Sequence, residues 1–220
     1  MNTKKVSILV LFYSMTGKTA ELAKYVAEGA QSLENVGVIV KRVPDLYGED
    51  FFKDKPELLD TKMRLAREYE EATISDLIAA DGVAIGTPTH FGSFASQVKH
   101  FLDQLSPSWI KQELVNKPVS VFCSSGGMHA GEELTLMSLM IPLFNLGMIP
   151  VGIPYPIQGE GPDFDSGSPY GAIYVSGNNK ELGEGDKKVA RILGKRLAAM
   201  THVIKCGCEN CNDYKRRLKD

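Results

Sequence analysis

Residues Val6–Phe12 (VSILVLF) are apolar at every position but Ser7. Such a run has no wet face to offer, so it reads as a strand covered on both sides. It passes directly into Tyr13-Ser14-Met15-Thr16-Gly17-Lys18-Thr19. Leu22, Ala23, Val26, Ala27, Ala30 and Leu33 then recur at three- and four-residue spacing, one stripe of an amphipathic helix. A buried strand, a tight polar loop and a helix, in that order, point to a parallel sheet with helices on both faces.

The alternation continues along the chain. A strand over Val38–Val43 is stopped by Pro44. Residues 45–73 are polar and charged and read as a solvated insertion with a surface helix from about Pro56 to Glu71. A short helix over Ile74–Ala80 precedes a strand over Gly82–Gly86 and a turn-rich loop. The next helix, over 94–105, turns Phe94, Val98, Phe101, Leu102 and Leu105 inward. Pro118 opens a strand over Val119–Cys123, and a helix over Glu132–Leu146 ends at Gly147. A fifth strand spans Ile149–Ile153, a Gly/Pro-rich loop comes next, and a last helix spans Gly185–Met200. Five strands alternating with helices fit a flavodoxin-like, doubly wound, five-stranded parallel sheet with helices on both faces. The expected domain is 1–202, with a Cys-containing tail over 203–220.

Two hundred and twenty residues suit one such domain. A net charge of −2 and a pI near 6.1 give no basic face for nucleic acid. The start, MNTKKVSILVLFYS, lacks a small-residue cleavage site after its apolar run, and no run is long enough to insert in a bilayer. The chain therefore reads as cytoplasmic. Cys206, Cys208 and Cys211 crowd the end of the chain, short of the four ligands zinc takes, so no metal is expected.

In doubly wound sheets ligands bind beyond the carboxyl ends of the strands. Three loops rich in Ser, Thr and Gly leave the strands there: 14–19, 87–92 and 124–131. The first contains Gly17-Lys18-Thr19, the end of a nucleoside-triphosphate loop. The first glycine of that motif is absent, because Phe12 stands in its place, and no strand offers a carboxylate for magnesium. The loop instead suits a terminal phosphate monoester. Ser14, Thr16 and Thr19 supply hydroxyls, Gly17 permits a tight turn, and a helix N-terminus adds its positive end.

VLFYSMTGKTAELAKYV, from Val10 to Val26, resembles the phosphate-loop signature of flavodoxin-like FMN proteins. GTPTHFGSFASQVKHFLDQ, SSGGMHAGEE, LGMIPVGIPY and GSPYGA resemble, in order, the later blocks of the WrbA family of NAD(P)H:quinone oxidoreductases. The resemblance covers about residues 5–200 and implies a bound FMN. Ser14, Met15, Thr16, Gly17, Lys18 and Thr19 would hold its phosphate. Pro88, Thr89, His90, Phe91 and Gly92 would meet the flavin ring. Ser124, Ser125, Gly126, Gly127 and His129 would meet the ribityl chain and the pyrimidine edge.

The resemblance also implies a cytoplasmic homotetramer that reduces quinones with NAD(P)H. Hydride would reach flavin N5 and leave it in a ping-pong cycle, with no protein residue acting as a catalytic group. Thr16, Trp109 and Leu146 would bind substrate, with Trp109 reaching in from a neighbouring subunit. Asn145-Leu146 stand where the family often has a His-His pair, so Leu146 offers apolar contact but no donor. The alternative is a flavodoxin-type carrier that passes single electrons to protein partners. A pI near 6.1 and the added segments at 45–73 and 154–171 argue against it.

Overall fold

The computed structural model describes residues 5–158, 166–177 and 181–206. Strand β1 (Val6–Phe12) leads into helix α1 (Lys18–Gln31), and β2 (Val36–Arg42) comes next. A 3-10 turn (Glu49–Phe52), α2 (Pro56–Glu68) and α3 (Ile74–Ala79) connect to β3 (Gly82–His90). Then come β4 (Ser93–Phe94), α4 (Ser96–Asp103), α5 (Ser106–Ile110), β5 (Pro118–Ser125) and α6 (Glu132–Asn145). The chain ends with β6 (Ile149–Pro150), α7 (Tyr155–Gln158), β7 (Gly171–Val175) and α8 (Glu184–Cys206).

The sheet order is β2-β1-β3-β5, with β6 and β7 sharing the last position against β5. All of these pairings are parallel, as the expected doubly wound order requires. Helices α3, α4 and α6 bury Leu77, Val98, Phe101, Leu136, Leu139 and Leu143 on one face. On the other face α1 and α8 bury Leu22, Val26, Val189, Leu193 and Leu197. Helices α1 and α8 meet at glycines from both sides. A Cβ on Gly29 would collide with the Arg191 carbonyl, and one on Gly194 with that of Val26.

Three elements differ from expectation. Strand β3 continues four residues past Gly86 and turns back as a hairpin through β4. The strand expected over Ile149–Ile153 pairs for only two residues, with Ile149 and Val151 N–H donating to the Lys117 (2.9 Å) and Val119 (2.7 Å) carbonyls beside β5. Ile153 N–H turns instead to the Pro169 carbonyl (2.9 Å), and β7 takes the vacated edge from Val121 to Ser125. Finally, α8 runs on past Met200 and without a break through residue 202. Cys206 ends it, and Cys208 and Cys211 lie outside the described residues. Among the described residues no helix is long and apolar enough to cross a membrane.

The extension of α8 explains the one polar residue of β1. Ser7 donates its N–H (2.8 Å) and hydroxyl (3.0 Å) to Asp81 Oδ2, and Lys205 Nζ on α8 reaches the same oxygen at 2.6 Å. Partial burial raises the Asp81 pKa, but the bonds from Lys205 and Ser7 outweigh it and hold the carboxyl below its ordinary range. A lowered carboxylate pKa stabilises the fold above the unfolded-state value near ~3.9. That stability is lost as pH falls through the folded-state value. Asp81→Ala is therefore expected to cost about 2 kcal/mol at pH 7 by urea unfolding. The difference from wild type should shrink below about pH 4; a loss that is constant with pH would assign the effect to packing.

Candidate functional site

The parallel register fixes where the loops emerge. Phe12 is level with Gly86, and Gly86 with Phe122, so the chain leaves β1, β3 and β5 along one edge. The first and third loops are tied there by a hydrogen bond between the Thr19 and Ser124 hydroxyls (2.8 Å), both buried. Thr19 thus faces inward as a strut. Ser14 Oγ is buried and makes no hydrogen bond. Gly17 sits at the α1 N-cap with φ +87°, and no side chain caps the helix. The first amides of α1 are left for a ligand or water. Thr16 is exposed at the rim and Met15 packs down against the core. Lys18 is directed to Tyr174, its Nζ lying 5.7 Å from the ring centroid.

The second loop is a tight hairpin. Thr89 pairs with Phe94 and His90 with Ser93, which leaves Phe91 and Gly92 as a two-residue turn. Both have positive φ, +53° and +74°, the conformation of a type I′ turn. Asn or Asp commonly fills the first position; a bulky ring there is uncommon and strained. The Phe91 ring is fully exposed. The base of the hairpin is held by Thr87, whose Oγ1 accepts from Ala95 N–H (2.9 Å) and donates to the Pro88 carbonyl (3.0 Å). Half-burial lowers the His90 pKa, so its imidazole is neutral at pH 7.

The third loop is fastened from beneath. The Ser125 hydroxyl is shared between buried Glu132 Oε1 (2.7 Å) and the Gly127 carbonyl (3.0 Å). The Ser125 carbonyl accepts from Ser176 N–H at 2.9 Å. Above this anchor the loop is open: a Cβ on Gly126 or Gly127 would meet nothing within 4 Å. His129 is exposed with φ +58°. Cys123, just below, is no nucleophile, since burial pushes its thiol up to about 12. An uncapped helix start, an orphaned buried hydroxyl and open space over two glycines fit a ligand with a phosphate, a polyol and a flat ring. FMN is such a ligand.

Trp109 and Leu146 are not brought to this edge. Helix α6 starts at the third loop and carries the chain about 20 Å away over its 14 residues. At its far end Trp109 Nε1–H donates to the Asn145 carbonyl (3.0 Å). Trp109 and Leu146 there line a groove of about 470 Å³ with Leu102, Leu105 and Ile141. Of the three substrate residues expected from the sequence, Trp109 and Leu146 therefore cluster with each other and away from the loops of their own chain, while Thr16 lies in the first loop. Among the described residues no group of three His, Cys, Asp or Glu is placed to hold a metal ion.

The sequence model of the NADPH-dependent FMN reductase family matches residues 6–162. The chain is 37% identical over 199 residues to the NAD(P)H dehydrogenase (quinone) of Geotalea uraniireducens, covering 89% of this chain and 97% of that one. It is 36% identical over 206 residues to NAD(P)H dehydrogenase (quinone) 3 of Rhizobium meliloti, covering 91% and 94%. A solved flavodoxin, WrbA-like protein from Agrobacterium tumefaciens shares the fold, with a TM-score of 0.63 at 23% identity over 90% and 98% of the two chains.

The burial of His90 has a measurable consequence. Its folded-state pKa lies below the ordinary value near ~6.5, so its protonation opposes folding as pH falls. The His90 ring signals, assigned by loss in His90→Gln, should titrate in NMR with a midpoint below about 6.5. A midpoint at or above that value would mean the imidazole is solvated.

Proposed function

Because the chain belongs to the NADPH-dependent FMN reductase family, we propose that it is an FMN-dependent NAD(P)H:quinone oxidoreductase. The observation that carries the reading is the convergence of the three loops, with the uncapped α1 N-terminus and the orphaned Ser14 hydroxyl at its base. FMN, when bound, supplies a two-electron centre that accepts hydride from NAD(P)H and returns it to a quinone.

The residues of the chain bind and orient. Ser14, the amides of 15–19 and the positive end of α1 hold the phosphate dianion. The Thr19–Ser124 bond keeps the first and third loops at a fixed spacing. Backbone groups of Pro88–Gly92 meet the polar edge of the ring, and the exposed Phe91 side chain covers apolar area beside it. Gly126 and Gly127 let the backbone approach the ribityl chain. A neutral His90 offers hydrogen bonding without placing a cation beside the ring. No side chain is needed as an acid or base, since water supplies the proton that a quinone takes up with the hydride.

Assembly is part of the reading. Leu134, Met137, Ile141 and Phe144 are exposed along one face of α6, and Trp109 and Ile110 are exposed beside its far end. Trp109 is 58% exposed and Ile141 61%. An apolar stripe of this kind favours contact with further copies of the chain, and the family resemblance makes the assembly a tetramer. In that assembly Trp109 and Leu146 of one subunit approach the flavin of another, and Thr16 lies at the rim between them. Dependence on NAD(P)H also fits the cytoplasmic reading.

Two measurements test this. Protein mixed with FMN should show a shifted flavin spectrum that bleaches with NADH or NADPH without oxygen and returns on adding benzoquinone. Initial rates should give parallel double-reciprocal lines, and a redox titration should proceed in one two-electron step. No flavin binding would sink the proposal, and stable one-electron steps would favour a carrier. Secondly, Ile141→Glu should shift the chain to a smaller species by light scattering. It should keep FMN while quinone turnover falls at least about tenfold, the scale of one lost apolar contact at a site. Full turnover by a monomer would remove the shared-site reading.

A further inference from the structure

The helix of the 45–73 insertion reaches the first loop. Arg64 lies on α2, and its Nη2 is the nearest heavy atom to the place where a Cβ on Gly17 would stand, at 2.9 Å. Thr61 Cγ2, one turn earlier, is next at 3.6 Å. Arg64 therefore leans over the tightest part of the phosphate turn. A cavity of about 400 Å³ opens at this point, lined by Thr16, Gly17, Lys18, Lys24 and Arg64 with Glu21.

The charges there favour an anion. Arg64 Nη1 donates to Glu68 at 3.1 and 3.4 Å, and Lys24 Nζ lies 3.9 Å from the same carboxylate. These pairs are half-exposed, so water screens them and they hold the guanidinium only loosely. Glu68 orients Arg64 from one side and leaves the Nη2 edge toward Gly17. Lys18 is turned to Tyr174, and Arg64 is the cation whose Nη2 stands over Gly17. A guanidinium fork beside free helix-start amides suits a phosphate monoester, whose oxygens can accept from both.

We infer that Arg64, carried by α2 and oriented by Glu68, is a clamp for a phosphate monoester at the 14–19 loop. The inference rests on the FMN reading of that loop. Two ligands of the proposed reaction carry such a group: FMN, at its 5′ end, and NADPH, at its 2′ position. In either case α2 forms part of the binding wall.

Flavin fluorescence quenching separates the cases. FMN and riboflavin are titrated into wild type, Arg64→Ala and Arg64→Glu, and KM is measured for NADPH and NADH with saturating FMN. If the clamp holds FMN, Arg64→Ala weakens FMN about 10- to 100-fold, Arg64→Glu weakens it further, and riboflavin binding is unchanged. If it holds the coenzyme, FMN binding is unchanged, while KM rises by a similar factor for NADPH and not for NADH. Equal changes for the phosphorylated and unphosphorylated member of each pair, or no change, overturn the clamp and leave the FMN reading standing. Failure of wild type to bind FMN overturns that reading and the clamp with it.

Discussion

Strand β3 has a parallel partner on each side, and its backbone is buried from Gly82 to Thr87. Parallel neighbours point the same way, so the loops after β1, β3 and β5 must emerge along a single edge. The functional site depends on this constraint. It puts Thr19 within 2.8 Å of Ser124, although 105 residues separate them. It also gives each loop a rigid base in the core, so that the loops can be short and still hold position. Ser125 bonded to buried Glu132, and Thr87 bonded to Ala95 N–H, are the local versions of the same fastening.

The floor of the site is thereby built by the sheet and its loops, while its upper side is exposed among the described residues. Phe91 stands fully exposed on a strained turn, and Met128 and His129 are exposed across from it. Strain of this kind persists only where the surroundings enforce it. The pairing of Thr89 with Phe94 and His90 with Ser93 does so here. At the opposite edge Trp109, Ile110 and Phe144 form an apolar surface left exposed by the described residues. Two incomplete surfaces on one molecule are the arrangement from which a symmetric assembly can close both.

Much of this was legible in the sequence, because the signals were local. The limits of β1 came from an apolar run, and α1 from an apolar stripe at three- and four-residue spacing. The features that escaped depended on distant neighbours. That Ile149–Ile153 pairs only at its start, and that Gly171–Val175 continues the same edge, depends on pairing with β5 from distant parts of the chain. The hairpin at 87–94 was hidden because Phe91-Gly92 is not an Asn-Gly or Asp-Gly turn. Lys205 lay beyond the expected end of α8, yet it completes the Asp81 cluster that gives Ser7 its place in an apolar strand. Thr19 read as a phosphate ligand; that its hydroxyl also meets Ser124 depends on a partner that only the sheet brings near.

The insertion at 45–73 has the composition of a solvated segment, and most of α2 is exposed. Its packing is nevertheless specific. Leu65 is buried against the α1 face, and Tyr69 meets Phe12 edge-on at 5.1 Å. Lys62 pairs with Asp45 at 3.3 Å and donates to the Tyr47 carbonyl at 3.1 Å, which holds the start of the insertion to its helix. With α2 fixed on both sides, Arg64 is carried to Gly17. Gly17 in turn is required by its positive φ, and Arg64 Nη2 is the nearest side-chain atom over it. The two residues lie far apart in the chain, and the polar insertion brings them together as the outer wall of the 14–19 loop.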